Sequence, residues 1–461
     1  MSLAVLLVLI VVFAFVVGHL LRRFTSRFAT LSAVEYMVVG VAIGPALGWS
    51  LLTRDALVLL QPFFSLLLGL VGFVLGIRAD RAMRSQGLGP ASYSASIAVL
   101  IGFTVLLLPV LDWLVPTTDA ASDFVIDRDI VRYAGKALAI HIDSDTLWMA
   151  LGLAACATVC SSQSIRTLRN DRPGRVGDFL QAAARASQIT SIVVLGLILA
   201  ATRATSQANR FSMTVVEWSV AAGCLGIICG VLFTLFIGRE SEPSRIFLAA
   251  VGLVTFASGI GSALGISPLF VNLLAGVVVA NTSDHAEGVR VQLDRLQHPL
   301  FVLVLIFAGA LWEPVTGGLW LLPVVYVLAR WGLRRLFTRI AARHVVVPRL
   351  ETLRLGNGLL SHGSLAVAVA LNLAQRFPEW SAVILNTVLL GTLASDLVSR
   401  RTLMNVLTDA GEIVIGQGPS STRPPASSAT AAPTSHDHAP ASGSRDHDRP
   451  SKADKQAEVS T

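Results

Sequence analysis

Long apolar runs alternate with short polar stretches over the first 415 residues of the chain. Each run holds about 16 to 26 residues, enough for an α-helix to cross or nearly cross the ~30 Å hydrocarbon core of a bilayer. The pattern predicts an all-α polytopic membrane protein with about 13 transmembrane helices. Numbered as segments 1 to 13 in chain order, the runs are 2–20, 33–52, 57–77, 91–115, 147–166, 183–202, 213–238, 246–263, 266–281, 299–313, 317–337, 356–375 and 381–398.

The basic residues of the loops alternate regularly along the chain. Arginines gather after segments 1, 3, 5, 11 and 13, whereas the loops after even-numbered segments are short or poor in basic residues. The long loop 116–146 follows segment 4 and is acidic. Cytoplasmic loops of membrane proteins carry an excess of Lys and Arg. The alternation therefore predicts an external N-terminus and a cytoplasmic C-terminus.

Composition supports the membrane assignment and divides the chain into two parts. Hydrophobic residues make up 53% of the sequence and charged residues only 14%, which is too few for the surface of a soluble protein of this length. From residue 416 onward the sequence turns rich in Pro, Ser and Ala and cannot bury apolar surface. We predict a transmembrane domain over 1–415 and a disordered cytoplasmic tail over 416–461.

Several function classes lose support at this stage. The net charge of +7 does not indicate a nucleic-acid partner, because the arginines cluster in short loops and no basic stripe is interleaved with aromatic residues. The four cysteines lie inside apolar runs without metal-ligand spacing, and the chain has no P-loop, zinc motif or nucleophile triad. We therefore expect no enzymatic activity, no cofactor and no bound metal, and the lipid bilayer as a partner.

Two segments carry polar clusters within their apolar runs, namely CATVCSSQSI in segment 5 and NGLLSHGSLAVAV in segment 12. Backbone groups freed by a helix break are tolerated at membrane depth only where protein or water meets them. Because the clusters stand seven segments apart, they are typical of two broken helices in inverted halves; packing faces of small residues are the alternative. The candidate site residues in these clusters are Thr158, Ser161, Ser162, Gln163, Ser361 and His362.

Charged residues deep in a membrane span are candidates for function. Arg330 lies about two thirds of the way along segment 11, where it either faces the protein interior or snorkels to the cytoplasmic surface. His362 is the titratable group that looks most central. Asp396 stands toward the inner end of segment 13, and its position predicts an interfacial side chain.

The order of several motifs resembles the monovalent cation/proton antiporters of the sodium/hydrogen exchanger superfamily, especially the bacterial branch with potassium-efflux and sodium/proton members. The motifs are VEYMVVGVAIGPALG, GLVGFVLGIRAD, GISPLFVNLLAGVVVAN, LQHPLFVLVLIFAGALWE and GNGLLSHGSLAVAVAL. The resemblance implies inverted repeats, crossing broken helices at segments 5 and 12, a homodimer, a multi-pass place in the bacterial inner membrane, and Na⁺ or K⁺ and protons as partners. It also implies a cation- and proton-binding aspartate on segment 6, assisted by a basic residue on segment 11 that Arg330 matches.

The sequence departs from this family at the central position. In SQITSIVV the place of the aspartate falls on Gln188, or on Ile189 if the match shifts by one residue, with Thr190 and Ser191 next to it. The nearest preceding carboxylate, Asp178, lies ten residues or about 15 Å of helix away. A glutamine can coordinate a cation through its carbonyl oxygen but cannot release a proton.

Three hypotheses remain open at this point. The protein is a cation/proton antiporter that uses another titratable group, for which His362 is the first candidate and Asp80 and Glu35 are the reserves. Alternatively it is a facilitator without proton coupling, either for a cation or for an anion attracted to an unpaired Arg330. In the third hypothesis it is a membrane sensor that keeps the fold and no longer transports.

Overall fold

The computed structural model of the protein describes residues 34–47, 57, 59–79, 89–114, 144–169, 174–205, 213–237, 242–283, 286–342 and 354–412. In this part of the chain it has thirteen α-helices and no β-strand. Short 3₁₀ helices cover Pro45–Leu47, Gly317–Trp320, Leu355–Leu359 and Pro378–Trp380. The α-helices are α1 Val34–Ile43, α2 Gln61–Ile77, α3 Gly89–Leu114, α4 Ser144–Thr158, α5 Ser162–Arg169, α6 Arg175–Thr205, α7 Val215–Ile237, α8 Pro243–Leu264, α9 Pro268–Thr282, α10 Ala286–Ala310, α11 Leu321–Ala342, α12 Ser364–Arg376 and α13 Ser381–Asp409.

These helices match the predicted segments closely. Segments 2, 3 and 4 correspond to α1, α2 and α3, segment 5 divides into α4 and α5, and segments 6 to 13 carry the same numbers as their helices. Segment 1, Asp80, most of the acidic loop 116–146 and the tail 416–461 lie outside the described residues. Their predicted structures therefore stay predictions.

The structure confirms the prediction of an all-α polytopic membrane protein. Among the described residues, six helical stretches are long and apolar enough to cross a membrane, and three shorter apolar helices accompany them. Helices α3, α7 and α8 expose large apolar side chains such as Leu235 and Phe236, which suits contact with lipid. Helix α12, in contrast, buries every residue from Leu365 to Ala374 and lies inside the protein.

The boundary between the two short segments 8 and 9 has clear local causes. Helix α8 ends at Gly265, whose φ of 73° is a left-handed conformation that favours glycine. Helix α9 then begins after Ser267, whose hydroxyl accepts a hydrogen bond from the Phe270 N–H at 3.2 Å. Pro268 follows at the first helical position, where its missing N–H costs no hydrogen bond.

Two glycine contacts reveal the internal repeat. Where α2 packs on α9, a Cβ added to Gly76 would lie 2.9 Å from the Cα of Gly276 and would overlap the carbonyl oxygen of Leu273. Where α1 packs on α10, a Cβ added to Gly40 would lie 2.9 Å from the Cα of Gly309 and would overlap the carbonyl oxygen of Ile306.

The two contacts are related by the offset of seven segments. Segments 3 and 10 are seven apart, and so are segments 2 and 9. The contact between segments 3 and 9 (α2 and α9) therefore corresponds to the contact between segments 10 and 2 (α10 and α1). An odd offset also reverses the direction in which a helix crosses the membrane. The close-packed glycine pairs therefore agree with inverted repeats, and the same offset pairs α6 with α13.

The helix that carries Gln188 is fixed at its start by the last described residue. The carboxylate of Glu412 accepts hydrogen bonds from the N–H groups of Val176 and Gly177, at 2.8 and 3.0 Å. These N–H groups lie in the first turn of α6, which has no intrahelical partners for them and carries the positive end of the helix dipole. The contact anchors α6 to the end of α13.

Candidate functional site

The two predicted broken helices are interrupted and cross at their breaks. Segment 5 loses its helical conformation between Thr158 and Ser162, and segment 12 between Leu359 and Ser364. The N–H of Ser161 donates to the carbonyl of Ser361 at 3.0 Å, and the Cys160 thiol donates to the carbonyl of Leu359 at 2.8 Å. The prediction of crossing broken helices is confirmed.

Arg330 binds both breaks from α11. Its Nε donates to the carbonyl of Ala157 at 3.0 Å and its Nη2 to that of Val159 at 2.8 Å, both at the end of α4. Its Nη1 donates to the carbonyl of Leu360 at 2.6 Å, in the break of segment 12. The side chain is only 1% exposed. Arg330 therefore does not snorkel, and its charge stabilises carbonyl groups that a helix end leaves without partners.

Two further side chains donate hydrogen bonds to carbonyls at the end of α4. Arg334, one turn after Arg330, donates to the carbonyl of Thr158. Gln188 donates through its Nε2 to the carbonyl of Cys160 at 2.7 Å and also approaches the Ser162 hydroxyl at 3.3 Å. The carbonyls of residues 157–160 therefore all have side-chain donors from α6 or α11.

Gln188 thus contacts the break of segment 5, as the resemblance implies for the residue at this position. It is 7% exposed and lines a cavity of about 30 Å³, roughly the volume of one water molecule. Arg78, Arg166 and Arg185 also line this cavity. The amide nitrogen of Gln188 donates a hydrogen bond to a carbonyl, so only the amide oxygen can coordinate a cation.

The other polar residues predicted near this position have different surroundings. The Ser191 hydroxyl donates to a carbonyl of α4 at 2.7 Å, which ties α6 to α4. The Thr158 hydroxyl donates at 2.8 Å to a carbonyl one turn earlier in its own helix, and Thr190 is buried on α6. The side chain of Gln163 is exposed.

His362 is fully buried, with hydrogen bonds at both ring nitrogens. Its Nδ1 lies 3.2 Å from the hydroxyl of Thr392, which donates its own proton to the carbonyl of Val388 at 2.7 Å. The Thr392 oxygen therefore accepts from Nδ1–H, and Nε2 lies 2.9 Å from the hydroxyl of Tyr326. Both ring nitrogens are therefore in use.

A carboxylate from α13 reaches the break of segment 12. Asp396 accepts a hydrogen bond from the His362 N–H at 2.9 Å and from the Ser361 hydroxyl at 3.2 Å, and the N–H of Gly363 also faces it. Asp396, which its position along segment 13 predicts to be interfacial, is half-buried and reaches this break. The residues of the break that it contacts, His362 and Ser361, are themselves buried.

A row of hydroxyl groups leads from this carboxylate to the other broken helix. The Ser361 hydroxyl lies 3.0 Å from that of Ser164, which lies 3.0 Å from that of Ser161. Ser162, the next residue, lines the cavity beside Gln188. Each hydroxyl can both donate and accept, so the direction of the hydrogen bonds along the row can reverse.

Gly363 holds the break open through its backbone conformation. Its φ of 74° and ψ of 168° belong to a region essentially restricted to glycine, and an added Cβ would lie 2.9 Å from the Cβ of Ser161. Gly363→Ala is expected to lower the free energy of unfolding by about 1–3 kcal/mol, measured by thermal or denaturant unfolding in detergent. Gly332→Ala, at a site with no atom within 4 Å, is the control. Equal stability of the two variants would contradict the strain assigned to Gly363.

The chemistry of the crossing follows from these contacts. Arg330 and Arg334 supply fixed positive charges that satisfy carbonyl groups, and Asp396 supplies a negative charge that satisfies N–H groups. Within the described residues, no group of three or more His, Cys, Asp or Glu side chains could hold a metal ion. The crossing therefore brings fixed positive charges, one carboxylate and several hydroxyl groups together.

Comparison with known proteins identifies the fold. No family model matches the sequence, and no curated protein matches it. The structure is similar to that of the sodium/proton antiporter MjNhaP1 from Methanocaldococcus jannaschii at pH 8, with a TM-score of 0.61. The similarity covers 89% of this chain and 100% of that one, at 12% sequence identity. The chain therefore has the fold of a sodium/proton antiporter.

Proposed function

We propose that the protein is a secondary-active antiporter that exchanges a monovalent cation, Na⁺ or K⁺, for protons. The single observation that carries this proposal is the crossing of two broken helices, where fixed side chains bind several freed backbone groups and one carboxylate lies at the break of segment 12. Such interrupted helices at membrane depth are the means by which transporters place ion ligands away from water on both sides.

The proposal includes the place of the protein in the cell. The alternation of basic loops favours a cytoplasmic C-terminus, and the family resemblance implies a bacterial inner membrane. A homodimer is also proposed, in line with the resemblance seen in the sequence. Helices α7 and α8 present broad apolar faces that suit lipid or a second copy of the chain.

The site of this antiporter is atypical because Gln188 stands where the family resemblance implies an acid. Its amide cannot bind and release a proton at physiological pH. It nevertheless occupies the end of α4 as a donor, at 2.7 Å from the carbonyl of Cys160. We therefore propose that position 188 has a positioning role in this chain and that the exchanged proton resides elsewhere.

The hypothesis of an anion carrier is not favoured by the contacts of Arg330. It required an unpaired positive charge at Arg330, but that guanidinium donates to three backbone carbonyls at 2.6 to 3.0 Å. A guanidinium whose donors already hold carbonyl oxygens has little left with which to recruit an anion. Exchange of cations is the function that these contacts favour.

The antiport function is tested with purified protein in liposomes that enclose a pH-sensitive dye. A step in external Na⁺ or K⁺ is expected to move protons in the opposite direction at a rate well above that of protein-free liposomes. The measurement is repeated with Gln188→Asp, which introduces the acid that the family resemblance implies at this position.

Each outcome has a defined meaning for the proposal. Proton movement in the wild-type protein supports antiport without an acid on segment 6. A silent wild-type protein with activity gained in Gln188→Asp would contradict the proposal, since the scaffold would then have lost its proton site.

A further inference from the structure

We infer that Asp396, on segment 13, is the carboxylate that exchanges a proton for the transported cation. This inference rests on the proposed antiport function and assigns its chemistry to a residue outside the helix where the family resemblance places the acid. It is carried by the internal repeat, by the contacts at the two breaks and by the row of hydroxyl groups that ends at this side chain.

The internal repeat relates Asp396 to the position of the missing acid. The offset of seven segments that links the two glycine contacts also converts α6 into α13 and segment 5 into segment 12. Gln188 of α6 contacts the break of segment 5 through the carbonyl of Cys160, and Asp396 of α13 contacts the break of segment 12 through the N–H of His362. Each side chain therefore contacts the break of the broken helix that precedes it in its own half, Gln188 at a carbonyl that follows α4 and Asp396 at an N–H that precedes α12.

Gln188 and Asp396 differ in the chemistry that they can supply at the breaks. The amide at position 188 donates a hydrogen bond and cannot titrate, whereas the carboxylate at position 396 accepts hydrogen bonds and can bind either a proton or a cation. One titrating group at the crossing is sufficient for exchange. In this chain the second half supplies it.

Among the described residues, three other candidates for the titrating group have competing roles or other surroundings. Both nitrogens of His362 are engaged, with Tyr326 and Thr392. Asp178 forms an ion pair with Arg169 at 2.9 Å in the first turn of α6. Glu35 begins α1, a helix that packs mainly against α10.

Among the described residues, Arg330 and His362 bear on the Asp396 carboxylate. The positive charge of Arg330 on α11 acts on it electrostatically, while the guanidinium donates to backbone carbonyls. His362 presents its backbone N–H, while its ring points to Tyr326 and Thr392. The 3₁₀ helix Leu355–Leu359 carries no charged residue, and segment 5 approaches through the Ser164 hydroxyl.

The exchange can be written with its protons balanced. Protonated Asp396 gives up its proton to water along the hydroxyls of Ser361, Ser164 and Ser161, and the carboxylate then binds one cation among the hydroxyl oxygens. On the other side of the membrane the cation leaves, and the carboxylate takes up one proton. One cation therefore moves against one proton at this group, and no covalent bond to carbon changes.

The test compares Asp396→Asn with the wild-type protein in liposomes that enclose a pH dye. Asparagine keeps an oxygen that can accept from the His362 N–H, so this hydrogen bond would survive the substitution, whereas proton exchange would not. We expect cation-driven proton movement to fall at least about tenfold, which corresponds to about 1.4 kcal/mol. Asp409→Asn, a partly exposed aspartate that pairs with Arg354 at the end of the same helix, is the matched control and is expected to keep wild-type flux.

The outcomes separate this inference from the proposed function. An inactive wild-type protein would refute the antiport function, and Asp396→Asn with wild-type flux would refute only the role of Asp396. If the Asn variant does not fold, Asp396→Glu tests the role of Asp396 instead, because it keeps the carboxylate and moves it by one methylene group. A shifted pH profile and cation KM in that variant support the inference, and wild-type values for both contradict it.

Discussion

Arg330→Met is expected to remove about 3–5 kcal/mol from the free energy of unfolding, enough to leave little folded protein in the membrane. The guanidinium donates to the carbonyls of Ala157, Val159 and Leu360, and methionine fills much of the same volume without any donor. Each buried carbonyl left without a partner costs about 1–3 kcal/mol. The carboxylate of Asp396 also loses the positive charge that acts on it.

The measurement is the yield of monodisperse protein together with its thermal unfolding in detergent. Arg335→Met is the control on the same helix, because Arg335 stacks on the exposed ring of Trp331 at 5.1 Å. This substitution is expected to lower the free energy of unfolding by about 1 kcal/mol or less. Arg330→Lys should lie between the two, since one ammonium group lacks the planar fork that reaches several carbonyls. Wild-type stability of Arg330→Met would contradict the role assigned to the guanidinium.

Gly76→Ala is expected to destabilise the protein by about 1–3 kcal/mol or more, because it forces apart two helices in backbone contact. The added methyl group would overlap the carbonyl oxygen of Leu273 and lie 2.9 Å from the Cα of Gly276. Backbone atoms of a helix cannot move aside as a flexible side chain can. Gly309→Ala, in the corresponding contact of the other half, is expected to show a similar loss.

Gly252→Ala on α8 is the control for these substitutions. No atom lies within 4 Å of a Cβ added there, and alanine is the better helix former. Thermal unfolding in detergent should therefore show a stability equal to or slightly above that of the wild-type protein. The packing account would be contradicted if Gly76→Ala and Gly252→Ala had the same melting temperature.

Much of the fold could be predicted from the sequence because membrane helices have a strong and simple pattern. The apolar runs gave the positions of the segments, and the clusters SSQS and SHGS marked the two breaks. Both features depend on local composition, since a span needs apolar length and a break needs polar atoms.

The site could be predicted only in part. The contacts of Arg330 depend on where three carbonyls of two distant segments meet, which no local pattern contains. The contact of Asp396 with the break of segment 12 was also missed, because the sequence position of Asp396 indicates nothing about which distant segment it meets. The signal that could have found it is the repeat itself, since the offset that pairs segments 5 and 12 also pairs segments 6 and 13.

The central claim is that cation and proton compete for one carboxylate at the crossing, and that this carboxylate belongs to segment 13. Its most direct test counts the protons released when Na⁺ or K⁺ binds to the purified protein, by calorimetric titration in two buffers that differ in ionisation enthalpy. The account predicts release of about one proton per cation bound by the wild-type protein at a pH where Asp396 is largely protonated, and none by Asp396→Asn. Cation binding without proton release by the wild-type protein, or equal release by both proteins, would contradict it.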